Sequence, residues 1–135
     1  IEKSRKGERK RAAFFYHNSE YKGTQIGINV IQPMSIIKPH ARYEDESLIH
    51  LKGSFIYIEF DHNGKILKKE SLNKNNNHIR VPARSFNTVY STEINSALGM
   101  LIQGPIDSKN YRIDADWAPL EDESDRIWYE SLKIN

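Results

Sequence analysis

Pro39-His40-Ala41-Arg42-Tyr43-Glu44-Asp45-Glu46, with six further residues before Gly53, is the stretch around which the rest of the chain arranges itself. It reads as the end of one extended segment, a charged turn, and the start of another. Ile36 to His40 is a short strand after the break at Pro33, and Ser47 to Lys52 is the next. Side chains alternate sides along such strands, so a turn between them brings Glu46 back toward His40. Gly53 reads as a bend or bulge before the β-branched and aromatic run Ser54 to Phe60.

Working outward, Thr24 to Gln32 alternates apolar and polar residues, with Ile26, Ile28 and Val30 on one face. Asp61-His62-Asn63-Gly64 is a hairpin signal, because Asn-Gly accepts the positive φ that tight turns require. Lys65 to Leu72 is its return strand, and Asn73 to Asn77 is a polar loop. Ile79 to Pro82, Phe86 to Tyr90 and Ala97 to Gln103 give further strands. Short strands at short spacing predict an all-β sandwich or barrel over residues 24–105. Residues 119–133 read as a C-terminal helix, its apolar face made by Ile127, Trp128 and Leu132.

At 135 residues a single domain is expected, with a core large enough to need no staples. The absence of cysteine excludes disulfides and thiolate metal sites and fits a reducing compartment, so a cytoplasmic protein is expected. No apolar run approaches the roughly 18 to 20 residues of a membrane span. A net charge of +2 implies no polyanionic partner by itself, although Lys3, Arg5, Lys6, Arg9, Lys10 and Arg11 crowd the first eleven residues. Residues 1–17 therefore read as a solvated basic arm. It lacks the interleaved aromatics or recognition helix of a nucleic-acid binder, so nucleic acid is not the expected partner.

The motif around His40 is where a family resemblance begins. Cupins carry H-x-H, three or four residues, E, six residues, G, followed later by P-x-G-x-x-H. Glu46 and Gly53 keep that spacing, while Pro82-Ala83-Arg84-Ser85-Phe86-Asn87 stands in the second motif, with Arg84 at the glycine and Asn87 at the histidine. The basic start through Arg11 and His17, Phe60-Asp61-His62-Asn63-Gly64, Gly104-Pro105-Ile106 and Ala115-Asp116-Trp117-Ala118-Pro119-Leu120-Glu121 resemble the WbuC family. These are small cupins associated with O-antigen and other surface-polysaccharide genes. The resemblance implies a double-stranded β-helix, or jelly-roll barrel, and a metalloprotein of lipopolysaccharide biosynthesis.

Carried over residue by residue, His40 and Glu46 keep metal-ligand types, while Arg42 replaces the second histidine and Asn87 the third. A guanidinium opposes a cation and pairs with a carboxylate, so the expectation is no cofactor, with a divalent metal as the alternative. His50 shares the strand parity of Glu46, and His17 enters from the N-terminal side; either is a candidate third ligand. Without metal, Arg42, Asn87, His17, His50 and Tyr57 are candidate binding residues for a sugar-related or anionic small molecule, including a nucleotide sugar. His40 and Glu46 are then a candidate acid–base pair for isomerisation or epimerisation. Two rivals stand beside this: a metal-dependent oxygenase or hydrolase built on His40, Glu46 and a recruited histidine, and an interaction module using the basic arm. A homodimer through a sheet is compatible with the strand count, though no residue requires it.

Overall fold

Ten strands and two short helices make up the structure, a computed structural model that describes residues 1–106, 112–121 and 125–134. In chain order they are α1 (Glu2–Lys6), β1 (Arg11–Phe15), β2 (Thr24–Ile31), β3 (His40–Ala41), β4 (Glu46–Lys52), β5 (Phe55–Phe60), β6 (Ile66–Leu72), β7 (His78–Val81), β8 (Phe86–Ser91), β9 (Ser96–Gln103), β10 (Ile113–Asp114) and α2 (Arg126–Ser131). One sheet runs β1-β2-β9-β4-β7 and the other β10-β3-β8-β5-β6, all pairs antiparallel. The two sheets close on a shared interior, the barrel expected from the strand pattern in the jelly-roll arrangement that the family resemblance implies.

That interior is apolar over most of its depth. Ile31, Leu48, Phe55, Tyr57, Leu72, Ile79, Val81, Leu98, Met100 and Ile102 form one buried cluster. Full burial of a large aliphatic or aromatic side chain stabilises by roughly 1.5–3 kcal/mol, so this set dominates the driving force. A second cluster lies outside the β5–β8 sheet, where Ile58 and Phe60 meet Tyr129 and Leu132, flanked by Trp117 and Trp128. Six residues of α2 cannot sustain a helix alone, so this packing holds it.

Several local expectations change in the folded chain. In β2 the inward residues are Gln25, Gly27, Asn29 and Ile31, facing Ile102, Met100, Leu98 and Ser96 of β9. Ile26, Ile28 and Val30 lie on the outer face, with Ile26 exposed. Alternation alone does not say which face is inner; the partner strand decides. Similarly, α2 buries Tyr129 while Ile127 is 84% exposed. The expected helix starts later, at Arg126, and residues 122–124 of the predicted segment lie outside those described. Residues 36–39 carry no ladder, and the strand there is reduced to His40–Ala41.

The first residues are not a solvated arm. Arg11–Phe15 pairs with Ile31–Gly27 as the edge of the first sheet. Ser4 of α1 is fully buried, its Oγ accepting a hydrogen bond from Gln32 Nε2 at 3.0 Å. Arg11 donates to the Ile36 carbonyl at 2.7 Å and pairs with Glu121 at 3.0 Å, tying β1 to the C-terminal segment. The hairpin at residues 61–64 is a turn closed by the Asp61 carboxylate, which accepts from Asn63 N and Lys65 N, with Gly64 at φ +90°. Positive φ falls on the glycine and not on Asn63, the three-residue pattern with a glycine bulge. Among the described residues no helix is long and apolar enough to cross a membrane.

Candidate functional site

A cavity of about 200 Å³ opens between the sheets at the end of the barrel where Glu46 stands. Four arginines line it: Arg9 and Arg11 from the N-terminal segment, Arg42 from the β3–β4 turn, and Arg112 just before β10. His40, Glu46, Asn87 and Asn29 supply the remaining polar groups. Ile31, Ile37, Leu48, Val89, Leu98, Met100 and Phe15 form its apolar walls.

The turn after β3 positions three of these groups. Arg84 N donates to the Arg42 carbonyl at 2.7 Å, and the Asp45 carboxylate accepts from Ala83 N at 2.8 Å, so the two motif loops are bound together. Arg84 itself sits at φ +64°, the left-handed conformation that glycine adopts without strain. That is a physical reason for glycine being usual at its motif position. Gly53 is likewise required: its φ is +74°, and an added Cβ would collide with Ser96.

The central cluster satisfies itself. Arg42 Nε donates to Glu46 Oε2 at 3.1 Å, both side chains being nearly buried, 11% and 4% exposed. Burial pushes the Glu46 carboxyl above its ordinary range, while the Arg42 charge and hydrogen bond pull it back. Asn87 uses its amide nitrogen on the carbonyls of His40 and Ser85, both at 3.1 Å. His40 Nδ1 lies 2.9 Å from the Lys38 carbonyl, which fixes Nδ1 as the protonated nitrogen and leaves Nε2 as an acceptor. Burial, reinforced by Arg112 and Arg42, pushes the imidazole down to about 3, so it is neutral at physiological pH.

This donor set matches a divalent cation poorly. A guanidinium occupies the space beside the one lining carboxylate among the described residues, and the Asn87 amide is engaged with backbone. No three His, Asp or Glu side chains among the described residues converge to hold a metal. His50 points inward at the position opposite Leu98, but its Nε2 bonds the Gly53 carbonyl at 2.8 Å and it does not line the cavity. His17 stacks on Tyr21 with ring centroids 4.4 Å apart, also away from it. Tyr57 is fully buried in the apolar core, and burial raises its hydroxyl pKa. The cavity thus brings together His40, Arg42, Glu46 and Asn87, but not His17, His50 or Tyr57.

Four cavity residues carry no signal readable in the sequence. Arg9 and Arg11 sit in a charge run, Arg112 follows a largely polar stretch of sequence, and Asn29 lies between two β-branched neighbours, Ile28 and Val30. Arg11 is paired with Glu121, Arg112 with Asp114 at 2.8 Å and Arg42 with Glu46. Four guanidinium groups against three carboxylates leave one positive charge in excess. It falls on Arg9, whose guanidinium has no ion-pair or hydrogen-bond partner among the described residues.

The family model described as "Domain of unknown function (DUF6016)" matches residues 1–72, more than half of the 135-residue chain. The chain belongs to that family. The matched region takes in α1, β1, β2 and the His40–Glu46 turn, so the DUF6016 model covers every cavity arginine except Arg112. No curated protein matches the chain significantly. Among solved structures, oxalate decarboxylase from Bacillus subtilis aligns with TM-score 0.58 and 14% identity over 69% of this chain and 24% of its own. The DUF6016 chain therefore spans about a quarter of that enzyme's length. A cupin superfamily protein from Desulfitobacterium hafniense aligns with TM-score 0.56 and 13% identity, covering 70% of this chain and 78% of its own. A protein from Shewanella oneidensis gives 0.55 and 14%, over 68% and 66%. At such identities the likeness shows the fold, and the fold is that of cupins.

Proposed function

We propose that this DUF6016 protein binds a small anion, a carboxylate or phosphate, in its barrel cavity through arginine rather than through a metal. The observation that carries the reading is the lining of four guanidinium groups, with Arg9 unmatched by any carboxylate among the described residues. Guanidinium forks fit carboxylate and phosphate oxygens, and Arg9 stands exposed at the cavity where an entering anion meets it. A cavity of about 200 Å³ falls below the roughly 300–1,000 Å³ that holds drug-sized ligands, which favours a sugar-phosphate or small-acid size over a nucleotide sugar. The WbuC resemblance supports a sugar-related ligand and a place in surface-polysaccharide synthesis.

Recognition is favoured over proton transfer. An imidazole titrating at about 3 is a weak base at neutral pH, and Glu46 is held in an ion pair with Arg42. Calorimetric titration of chelator-treated protein with inorganic phosphate, glycerol 3-phosphate and succinate tests the reading. The expected result is saturable binding that weakens as salt rises. Absence of binding by every anion overturns it, and binding that appears only after a divalent cation is added supports the metal-dependent alternative instead.

A further inference from the structure

The two sheets treat their outer faces differently. Outside β5 and β8 the C-terminal segment packs down, with Tyr129 and Leu132 on Ile58 and Phe60. The outer face of the first sheet carries no such cover among the described residues, and Phe14 is 62% exposed, Tyr16 60%, Leu51 50% and Ile26 45%. Beside them stand Ile28, Val30, Leu101 and Ile49, each only partly buried. One apolar surface therefore crosses β1, β2, β9 and β4. Antiparallel sheets packed on a core by one face normally turn polar residues to water on the other. Four strands about 4.8 Å apart and three outward rows about 6.7 Å apart make this surface roughly 400 Å². Monomers rarely expose contiguous apolar patches beyond a few hundred Å², and those they do expose mark interaction sites.

We propose that this face is the interface of a homodimer, with a second copy of the chain as its occupant. Size is the first argument. With its polar margin of Thr24, Gln103, Ser47 and Arg80, the five-strand face spans roughly 650 Å² in projection. Side-chain relief brings its accessible area to the about 800 Å² per partner of a standard interface. Charge is the second. No ionisable side chain stands inside the apolar rows, so two copies related by a two-fold axis set no like charges against each other. A charged peptide or a nucleic acid would find no counter-charge there. Phe14 and Tyr16, edge to face at 5.2 Å on the β1 margin, are residue types that interfaces favour. β1 turns Phe14 to this face and Ala13 and Phe15 to the cavity, so the second copy buttresses the edge strand behind the arginine side of the site.

Sedimentation velocity on the full chain across the micromolar range tests this. The parent is expected to sediment as a dimer. Phe14→Lys and Leu51→Lys are each expected to raise the dissociation constant about tenfold or more, because each buries a charge against apolar groups. Both residues are at least half exposed in the single chain, so the circular dichroism of either variant should match the parent's. Ile127→Lys, at a still more exposed apolar residue on α2, should leave the dimer unchanged. A parent that stays monomeric at the highest concentration overturns the inference, and binding of that monomer to phosphatidylcholine–phosphatidylglycerol vesicles would give the face to a lipid surface instead. A dimer that survives both substitutions, or that Ile127→Lys disrupts as strongly, overturns it as well. Loss of the fold in both variants would make the face part of the chain's own packing and also overturns it.

Discussion

The two walls of the cavity use the same kinds of residue to opposite ends. On the β3–β4–β8 side, Arg42 pairs with Glu46, Asn87 bonds two carbonyls, and His40 bonds a third. Each side chain there has at least one bond to the protein, and each positive charge has a carboxylate beside it. On the β1–β2 side, Arg9 has no partner among the described residues and Asn29 Oδ1 has no donor. The first wall occupies the positions where related barrels gather metal ligands, yet it holds the fold together. The second wall comes from a segment that generic barrel motifs do not include, and it is the one that holds a guanidinium without a carboxylate. Position in a motif and availability for binding are therefore separate properties, decided by what each group already touches.

The sharpest way to break this contrast is to cut the closed wall. Arg42→Ala leaves Glu46 buried without its counter-charge, and a loss of about 3–5 kcal/mol in urea unfolding is expected. Replacing the pair together, Arg42→Met with Glu46→Leu, should recover most of that loss, because the cost lies in the stranded partner.

Acid sharpens the same wall. His40 titrates at about 3 in the folded chain against 6.5 ordinarily, so below about pH 6.5 the unfolded state binds a proton the folded state does not. Stability should therefore fall as pH drops from 6.5 toward 3, by on the order of 1 kcal/mol per pH unit. Glu46 acts in the opposite sense: its raised pKa means the folded state takes up its proton first, which opposes part of the loss on acidification. In His40→Gln the fall attributable to the imidazole should vanish, as denaturant midpoints measured across that pH range would show. A parent curve as steep in the variant would place the acid sensitivity elsewhere.

The open wall should respond differently. Arg9→Ala is expected to change stability by no more than about 0.5 kcal/mol, since its exposed guanidinium holds nothing in place. Its effect should appear in anion affinity, weakened about tenfold or more because a charge-assisted hydrogen bond is lost. A large stability loss in Arg9→Ala would erase the distinction between the walls.

Much of the closed wall was legible in the sequence. The Glu46–Gly53 spacing and the expected pairing of Arg42 with a carboxylate follow from residue order and charge, and the motif resemblance marks Arg42 and Asn87 as substituted ligand positions. The open wall was not legible. Asn29 lies between Ile28 and Val30, and an alternating strand reads as well with its apolar set inward; only pairing with β9 turns Asn29 to the interior. Arg9 and Arg11 sit in a run whose charge suggests solvent. Arg11 is placed by Glu121 across 110 positions, a contact that no local pattern announces.

The most direct measurement is of the side chains themselves, by nuclear magnetic resonance of the Asn29 amide and the arginine Nε–H groups during titration with glycerol 3-phosphate. The expected result is a saturable shift of the Asn29 amide and the Arg9 Nε–H, with the Arg42 Nε–H, already bonded to Glu46, nearly unmoved. A shift centred on Arg42 with Asn29 and Arg9 silent would contradict it, returning the ligand to the wall where related barrels keep their metal.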